Sequence, residues 1–413
     1  MIQRSERLNN VSYDLCGPIY EKAKELELLG HRITKLNIGN PAPFGFDAPP
    51  AIIKHIIENL PQAQGYSDHK GLISSREAVR KYYDRKGISN IHTDDIFLGN
   101  GLSELIMHAV QALLNDGDEV LVPAPDYPLW TAAVRFSGGK AVHYLCDEES
   151  EWFPDVEDIR SKITARTRAI VIINPNNPTG AVYSKELLQD IVKLAEEHDL
   201  VIFSDEIYDK ILYDGTEFVS TATLSDKVVF VTFSGLSKNY LAAGFRAGWM
   251  LVSGAKQKAR GYIDGLNTLA SLRVCSNVPA QFALQVALDG QDTIQDLVLP
   301  AGRLGAQRAI SYEKLIAIPG ITCVKPRGAF YLFPKIDVKK FNIKDDQQFV
   351  LDLLEAKHVL LVQGTGFNWH KPDHFRIVYL PEAGELSNTM DKLSDFLASY
   401  QQGKLIGAAQ AAV

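Results

Sequence analysis

The sequence predicts an α/β protein with a large domain, in which helices flank a mostly parallel sheet, and a smaller α+β domain. Short apolar runs rich in Val and Ile recur between residues 95 and 252, and such runs are typical of strands buried on both faces. Amphipathic segments with helical spacing separate several of these runs, and this alternation favours a sheet covered by helices. A chain of 413 residues also exceeds what one hydrophobic core normally fills, so a second domain is expected.

The chain is predicted to fold in three parts. Residues 1–50 are interpreted as an N-terminal arm and part of the small domain, residues 51–295 as the large domain, and residues 296–413 as the C-terminal small domain. Residues 36–50, with their Pro, Gly and Phe, predict an ordered loop that links an N-terminal helix to the large domain. The strands of the large domain are predicted at DIFL, EVLVP, AVHYL, AIVIIN, LVIFSD, VVFVTF and GWMLV.

Two helices of the large domain carry recognisable start signals. They are predicted over residues 103–114 and 184–198, with Ser103 and Ser184 as N-caps. In the small domain, the pattern predicts a helix, a short strand pair around ITCVKPRGAFYLFP, another helix, and strands at VLLVQG and HFRIVYL. This change of pattern after about residue 290 is the reason for expecting a separate lobe.

The composition favours a cytoplasmic enzyme that acts on small molecules. The net charge of -7 disfavours a nucleic-acid partner, because phosphate backbones are bound mainly by a surplus of Lys and Arg. The sequence has neither an export signal nor a run approaching the ~20 apolar residues that span a membrane. Its four cysteines lie far apart without metal-ligand spacing, so neither a disulfide framework nor a metal site is expected.

Polar residues are concentrated where five predicted strands end. These strands are followed by GNGLSE, APDYP, NPNNPTG, SDEIYDK and SGLSKNYLAAGFR. In an open α/β sheet, the loops at the carboxyl ends of the strands meet at one edge and bind ligands there. The five loops therefore predict one site with an anion pocket, an aromatic ring, an amide, an acid with a phenol, and a lysine with an arginine.

The segment Gly101, Leu102 and Ser103 lies between a predicted strand and a predicted helix. Free backbone N–H groups and the helix dipole favour an anion at such a position. Glu104 stands where a dinucleotide fingerprint requires Gly, and the Gly-Lys-Ser/Thr ending of a nucleotide P-loop is missing. The segment therefore indicates a general anion site, and a plain tight turn is the alternative interpretation.

Lys238 and Arg246 lie eight residues apart in one predicted loop. A lone lysine is most often a solvated surface residue. The pair instead offers an amine for a carbonyl group and a guanidinium whose planar fork suits phosphate oxygens. We interpret the loop as part of a site for a ligand that carries both groups.

Asp205 and Tyr208 follow another predicted strand. The Asp205 carboxylate is interpreted as the partner of a ring nitrogen, which it keeps protonated so that the ring can act as an electron sink. A helix N-cap is the alternative for Asp205. If a turn begins there, Tyr208 lies on the same face and can hydrogen-bond a phenolic oxygen of that ring; a half-buried core tyrosine is its alternative.

Four further residues are ambiguous when they are read locally. Asn177 stands in a loop dense in Pro and Gly, where Asn often only closes turns. Tyr127 can stack on a ring or simply pack at a strand end. Tyr66 and Arg376 are isolated in the sequence. The alternative interpretation of Arg376 is an ordinary charged residue at the protein surface.

In their order and spacing, NPNNPTG, SDEIY, SGLSK and GFRAGW resemble the class I aminotransferases of fold type I, and the resemblance covers nearly the whole chain. It implies pyridoxal 5′-phosphate as the cofactor. It also implies an L-amino acid and a 2-oxo acid as substrates, and a homodimer whose active sites are completed across the interface.

The resemblance assigns roles to the residues of the cofactor site. Lys238 matches the Schiff-base lysine, and Asp205 matches the acid on the pyridine nitrogen. Tyr208 and Asn177 match the hydrogen-bond partners of the phenolic oxygen. The residues that match the phosphate site are Gly101, Leu102, Ser103, Ser237 and Arg246.

The same resemblance covers the substrate site and the subunit boundary. Tyr127 matches the residue that stacks on the cofactor ring, and Tyr66 matches the tyrosine that the family lends to the neighbouring subunit's phosphate. Arg376 matches the arginine that binds the substrate α-carboxylate, with Gly39 close to that carboxylate. The substrate site is therefore expected to involve Gly39, Asn177 and Arg376.

Longer stretches, among them LNIGNPAPFGFDAP, VPAPDYPLWTAAV and KPRGA, resemble the bacterial glutamate–pyruvate (alanine) aminotransferases. They imply that L-alanine and 2-oxoglutarate react to give pyruvate and L-glutamate. That branch tends to carry Arg where this chain has Cys16 and Leu241, and a distal carboxylate removed from water needs a cationic partner. The alternatives are transamination of other aliphatic or aromatic amino acids, a carbon–sulfur β-lyase, and a cofactor-sensing regulator.

Overall fold

The computed structural model of the chain describes residues 2, 3, 5, 8, 17–290 and 293–404. An eight-stranded sheet forms the centre of the large lobe. Its strands are β2 (Ile96–Asn100), β3 (Glu119–Ala124), β4 (Lys140–Asp147), β5 (Phe153–Pro154), β6 (Thr167–Ile173), β7 (Val201–Asp205), β8 (Val229–Gly235) and β9 (Ala247–Gly254).

The strand order in this sheet is β2-β9-β8-β7-β6-β3-β4-β5. Neighbours from β8 through β4 pair in parallel, whereas β9 runs antiparallel to both β8 and β2, and β5 runs antiparallel to β4. Strand β2 therefore points in the same direction as β8, and all five predicted loops leave the sheet at one edge. The prediction of a mostly parallel α/β sheet is confirmed.

Helices cover both faces of this sheet. One face packs against α4 (Leu102–Leu113), α5 (Leu129–Phe136) and α8 (Arg260–Leu272). The opposite face packs against α2 (Pro50–Asn59), α3 (Ile73–Arg85), α6 (Val156–Lys162), α7 (Lys185–Glu197) and α9 (Val278–Asp289). The strands are buried on both sides because their Val, Ile and Phe side chains point alternately to the two helical layers.

The two predicted helix caps had different outcomes. Ser184 caps α7, since its hydroxyl accepts the backbone N–H of Leu187 at 3.2 Å. Ser103 is not a cap, and that prediction is wrong. Helix α4 begins one residue earlier because Gly101, at φ 82°, makes the turn and takes the N-cap position. The Ser103 side chain is therefore left to face the cavity described below.

The second lobe is built from the C-terminal part of the chain. Its helices are α10 (Ile294–Val298), α11 (Arg303–Ile316), α12 (Asp346–Lys357) and α13 (Ala383–Ser399). Its strands are β10 (Ile321–Thr322), β11 (Tyr331–Leu332), β12 (Lys335–Ile336), β13 (Val359–Leu360), β14 (Val362–Gln363) and β15 (Phe375–Val378). The expected short strand pair around ITCVKPRGAFYLFP is formed by β10 and β12, which pair antiparallel at the two ends of this segment, whereas β11 inside it pairs with β15.

The N-terminal segment packs with this second lobe. Helix α1 (Pro18–Leu28) contacts α12, and β1 (Thr34–Lys35) pairs in parallel with β13. Leu36 and Phe46 belong to the same hydrophobic cluster as the side chains of β11 and β15. The segment after β1 is thereby brought across the carboxyl edge of the large sheet. The domain boundaries at residues 50 and 295 stay a prediction.

Candidate active site

A cavity of about 280 Å³ lies at the carboxyl edge of the large sheet, where the five loops meet the second lobe. Both lobes and the segment after β1 contribute side chains to it. The predicted site residues that line it are Gly39, Leu102, Ser103, Tyr127, Asn177, Asp205, Tyr208, Ser237, Lys238, Arg246 and Arg376. Residues from seven separate stretches of the sequence therefore converge, five of them in loops at one sheet edge.

Lys238 lies in the loop after β8 and is not a solvated surface lysine. Its Nζ donates a hydrogen bond to the carbonyl of Gly39 at 2.5 Å and lies 5.6 Å from the centre of the Phe330 ring. Burial, with the nearby guanidinium groups of Arg376 and Arg246, lowers the pKa of Lys238 to about 7, although Asp205 opposes this shift. A large fraction of this amine is therefore neutral, and so nucleophilic, near physiological pH.

We expect the amine of Lys238 to titrate near neutral pH in the ligand-free protein. Only an unprotonated amine reacts with cyanate, so carbamylation of Lys238 should rise as the pH passes about 7. An ordinary lysine reacts in this way near its usual pKa of about 10.4. Peptide mass spectrometry over a pH series measures the midpoint, with a free lysine-containing peptide as the control. A midpoint for Lys238 equal to that of the peptide contradicts the prediction.

Asp205 ends β7 and is buried, with 3% of its surface exposed. The indole N–H of Trp130 donates to one carboxylate oxygen at 3.2 Å, and the backbone N–H of Ile207 donates to the other at 3.3 Å. Burial raises the pKa of Asp205 to about 6. The N-cap alternative is wrong, because residues 207–210 form a turn and no helix starts there. A buried carboxylate of this kind is suited to a cationic partner from the cavity.

Arg246 lines one end of the cavity, and Gly101 lies directly behind it without lining the cavity itself. The guanidinium of Arg246 donates to the carbonyls of Ala243 at 2.9 Å and Asn100 at 3.2 Å, and it lies 3.5 Å from the Ser237 hydroxyl. The Arg246 guanidinium lies so close to Gly101 that a Cβ atom added at Gly101 would overlap it. Exposed N–H groups at the start of α4 and this guanidinium together make a positively polarised pocket.

Arg376, on β15, forms the opposite end and is 7% exposed, so the surface-charge alternative is wrong. One of its nitrogens donates to the side-chain oxygen of Asn177 at 2.9 Å, and another donates to the backbone carbonyl of Asn37. The guanidinium lies over the rings of Tyr331 and Phe367, at 4.7 and 4.5 Å from their centres. A buried, rigidly held guanidinium of this kind is suited to bind a carboxylate.

Three further predicted residues, Tyr127, Gly39 and Tyr66, differ in where they lie. Tyr127 lines the cavity beside the loop after β3. Gly39 has no room for a side chain, because Tyr331 and Phe330 occupy the space that its Cβ would need. Tyr66 is 86% exposed and does not line the cavity of its own chain. Its contact with a neighbouring subunit stays a prediction.

Sequence reasoning missed several residues of the site. Tyr331 and Asn37 line the cavity, and Phe367 lies against Arg376. The Asn37 side-chain oxygen is buried without a hydrogen-bond partner among the residues that the structure describes. Trp130 was missed as the partner of Asp205. The stretches LNIGNP, KPRGA and PDYPLW contain or border these residues, but nothing local in them indicates contact with a site.

Cys16 and Leu241 are the two positions that depart from the glutamate–pyruvate branch. Leu241 is buried in an apolar cluster with Tyr208 and Ile211 and does not line the cavity. Cys16 lies outside the described residues. Because Tyr208 lines the cavity, the side chain of an arginine at position 241 would begin directly behind the cavity wall.

The family model for aminotransferase class I and II matches residues 31–393, and the chain belongs to this family. It is 60% identical to the glutamate-pyruvate aminotransferase AlaA of Escherichia coli over 401 residues, which cover 97% of this chain and 99% of that protein. It is 54% identical to the alanine aminotransferase of Mycobacterium tuberculosis, over 97% of this chain and 93% of that protein. A crystal structure of an Escherichia coli aminotransferase superposes with a TM-score of 0.96 at 60% identity, covering 97% of this chain and all of that one. The prediction of a class I aminotransferase is confirmed.

Proposed function

We propose that this aminotransferase uses pyridoxal 5′-phosphate to convert L-alanine and 2-oxoglutarate to pyruvate and L-glutamate. The observation that carries this proposal is that Lys238, Asp205 and Arg246 line one cavity, with Arg376 at its other end. The names of the relatives, glutamate-pyruvate aminotransferase and alanine aminotransferase, support the choice of substrates.

The residues of the cavity fit the proposed cofactor. Arg246, Ser237 and the N–H groups at the start of α4 would hold its phosphate, and Gly101 leaves the space that this requires. Asp205 would pair with the ring nitrogen, because a buried carboxylate with few donors favours a cationic partner. When bound, pyridoxal phosphate supplies an aldehyde for the amino group and a ring that withdraws electrons from the substrate α-carbon.

The chain's own groups then have separate tasks. Arg376 binds the α-carboxylate and thereby fixes the orientation of the amino acid. The Lys238 amine, of which about half is neutral at pH 7, would take the α-proton and return it to the product. Tyr208 and Asn177 line the cavity and would donate hydrogen bonds to the phenolic oxygen of the cofactor, and Tyr127 would cover its ring. The cavity lies between the two lobes, and this position limits the access of water to the exchange.

The proposal includes a cytoplasmic homodimer. Tyr66 supports it, since this large aromatic side chain is exposed and has no role in the cavity of its own chain. Exposed Ile53 and Ile57 on α2 supply apolar area that a second copy can cover. No helix among the described residues is long and apolar enough to cross a membrane.

Gly101→Ala is expected to weaken cofactor binding. The left-handed φ of 82° costs a residue with a Cβ about 1–3 kcal/mol, and the new methyl group overlaps the Arg246 guanidinium. The Kd for pyridoxal phosphate should rise roughly tenfold or more, measured by fluorescence titration of the apoprotein. Gly30→Ala is the matched control, because Gly30 has a similar φ of 91° and open space around its Cβ position. Equal Kd values for the two variants contradict the prediction.

A half-reaction screen tests the proposed function. The purified holoenzyme is mixed with one amino acid at a time, and the absorption of the bound cofactor is followed. Alanine and glutamate are both expected to convert the cofactor to its aminated form, and pyruvate or 2-oxoglutarate should reverse the change. Conversion by other aliphatic or aromatic amino acids alone refutes the substrate assignment. Release of pyruvate and ammonia from cystathionine without an added oxo acid favours the β-lyase.

A further inference from the structure

Tyr331 connects three parts of the cavity that the proposed function uses separately. It lies on β11 of the second lobe and is 2% exposed. Its hydroxyl lies 2.6 Å from the hydroxyl of Tyr208, and its ring centre lies 4.7 Å from the guanidinium of Arg376. The same hydroxyl fills the space beside Gly39, whose carbonyl accepts the hydrogen bond from Lys238.

The Tyr208–Tyr331 contact restricts where the two phenolic protons point. Each phenol has one O–H to donate and can also accept. When Tyr208 donates its proton to an acceptor in the cavity, it can keep its contact with Tyr331 only by accepting from it. Tyr331 is then the donor, and the two hydroxyls form a chain directed toward the ligand. Hydrogen bonds in such a chain strengthen one another, because each donation polarises the next.

The ring of Tyr331 contributes a different restraint. It packs against the Arg376 guanidinium, which also contacts the ring of Phe367. Tyr331 also packs edge to face against Tyr208, with 5.7 Å between ring centres and an interplanar angle of 82°. A shift of Arg376 toward a bound carboxylate would therefore press on the ring whose hydroxyl orients Tyr208.

We propose that Tyr331 is a positioning residue that links carboxylate binding at Arg376 to the hydrogen bond that Tyr208 donates into the cavity. Its hydroxyl makes Tyr208 a stronger donor, and its ring holds the guanidinium in the plane that suits the carboxylate. This inference rests on the proposed function, since it requires a cofactor whose phenolic oxygen accepts from Tyr208.

Tyr331→Phe separates the two contributions, because it removes the hydroxyl and keeps the ring. A weaker hydrogen bond from Tyr208 stabilises the anionic oxygen of the cofactor less, so the pH midpoint of the holoenzyme's absorption change should move upward by roughly 0.5 unit. The KM for L-alanine should stay within about twofold, since the ring still covers Arg376. Asp205, Lys238, Arg246 and Arg376 are the charged groups lining the same cavity, and the variant leaves all of them unchanged.

Tyr331→Leu removes the ring as well. It should show the same upward shift of the midpoint and, in addition, a KM for L-alanine that is roughly tenfold higher, because Arg376 loses one of its two covering rings. Tyr379→Phe is the matched control. Tyr379 is buried in the same lobe and donates to the carbonyl of Ala329 at 3.0 Å, but it does not line the cavity. Tyr379→Phe should therefore keep both the pH midpoint of the absorption change and the KM for L-alanine at the wild-type values.

The outcomes distinguish this inference from the proposed function. If wild-type protein binds no pyridoxal phosphate, both are refuted. If it binds the cofactor and transaminates alanine, but Tyr331→Phe leaves the midpoint unchanged or Tyr379→Phe shifts it equally, only the role of Tyr331 is refuted. The Phe variant differs from wild type by one oxygen atom, so it decides the question even if Tyr331→Leu fails to fold.

Discussion

Lys238→Ala is expected to reduce transamination by roughly 10⁴-fold or more, because in the proposed function it removes both the amine that would attach to the cofactor and the base that would move the α-proton. The phosphate pocket around Arg246 and the carboxylate of Asp205 remain, so the variant should still bind pyridoxal phosphate without a covalent link. Borohydride reduction followed by peptide mass spectrometry should mark position 238 in the wild type and leave the variant unmarked.

Lys258→Ala is the control for this experiment. Lys258 is half exposed and pairs with Asp199 at 2.8 Å, away from the cavity. Its replacement should leave turnover and cofactor attachment unchanged. Transamination by Lys238→Ala at the wild-type rate would falsify the assignment of Lys238, and so would a reduced label found on another lysine.

Asp205→Asn is expected to produce the second large loss. It keeps the shape of the side chain but removes the negative charge that would face the cofactor's ring nitrogen. Removing one member of a buried ion pair costs about 3–5 kcal/mol, which corresponds to a fall in kcat of roughly 150- to 5,000-fold. Single-turnover measurements with L-alanine report this loss on the chemical step alone.

The same variant should not lose stability in the absence of cofactor. Burial raises the pKa of Asp205 to about 6, above its usual value near 3.9. Between these two pH values the folded protein therefore holds a proton on Asp205 that the unfolded chain has released. Any stability that Asp205 gains from protonation is present below about pH 4 and is lost as the pH rises through 6. At pH 7.5 the buried charge only costs energy. The Tm of the Asp205→Asn apoprotein should therefore equal or exceed that of the wild type.

Glu206→Gln is the matched control for Asp205→Asn. Glu206 is the next residue, is equally buried, and accepts hydrogen bonds from Ser204 and Ser220 on the side away from the cavity. This variant should keep its single-turnover rate within a few fold. A similar fall in rate for both variants would mean that Asp205 acts through packing and not through its charge.

The strands that carry the site were predictable because their apolar runs are local and continuous. AIVIIN, LVIFSD and VVFVTF match β6, β7 and β8, and the polar residues after each strand indicated an edge rich in ligand-binding groups. The helix start at Gly101 was misplaced onto Ser103, because a glycine in the left-handed region can replace a side-chain cap. The roles of Lys238 and Asp205 stay predictions until the variants above are measured.

Tyr331, Asn37 and Trp130 could not be found in this way. Tyr331 is separated from Tyr208 by 123 residues, and Trp130 is separated from Asp205 by 75. Asn37 belongs to the N-terminal segment, which reaches the cavity only because β1 pairs with β13 of the second lobe. Each of these contacts depends on how two distant segments pack, and hydrophobic periodicity carries no information about such pairs.

The sequence alone determined the α/β class, the mostly parallel sheet and the set of loops that bear reactive groups, because these follow from local periodicity and from where each strand ends. Only the tertiary structure decided which guanidinium faces which end of the cavity, how far the pKa of Lys238 falls, and which aromatic rings hold Arg376. Burial and the Coulomb energy between charges depend on distances in space, and those distances are set when the two lobes pack together.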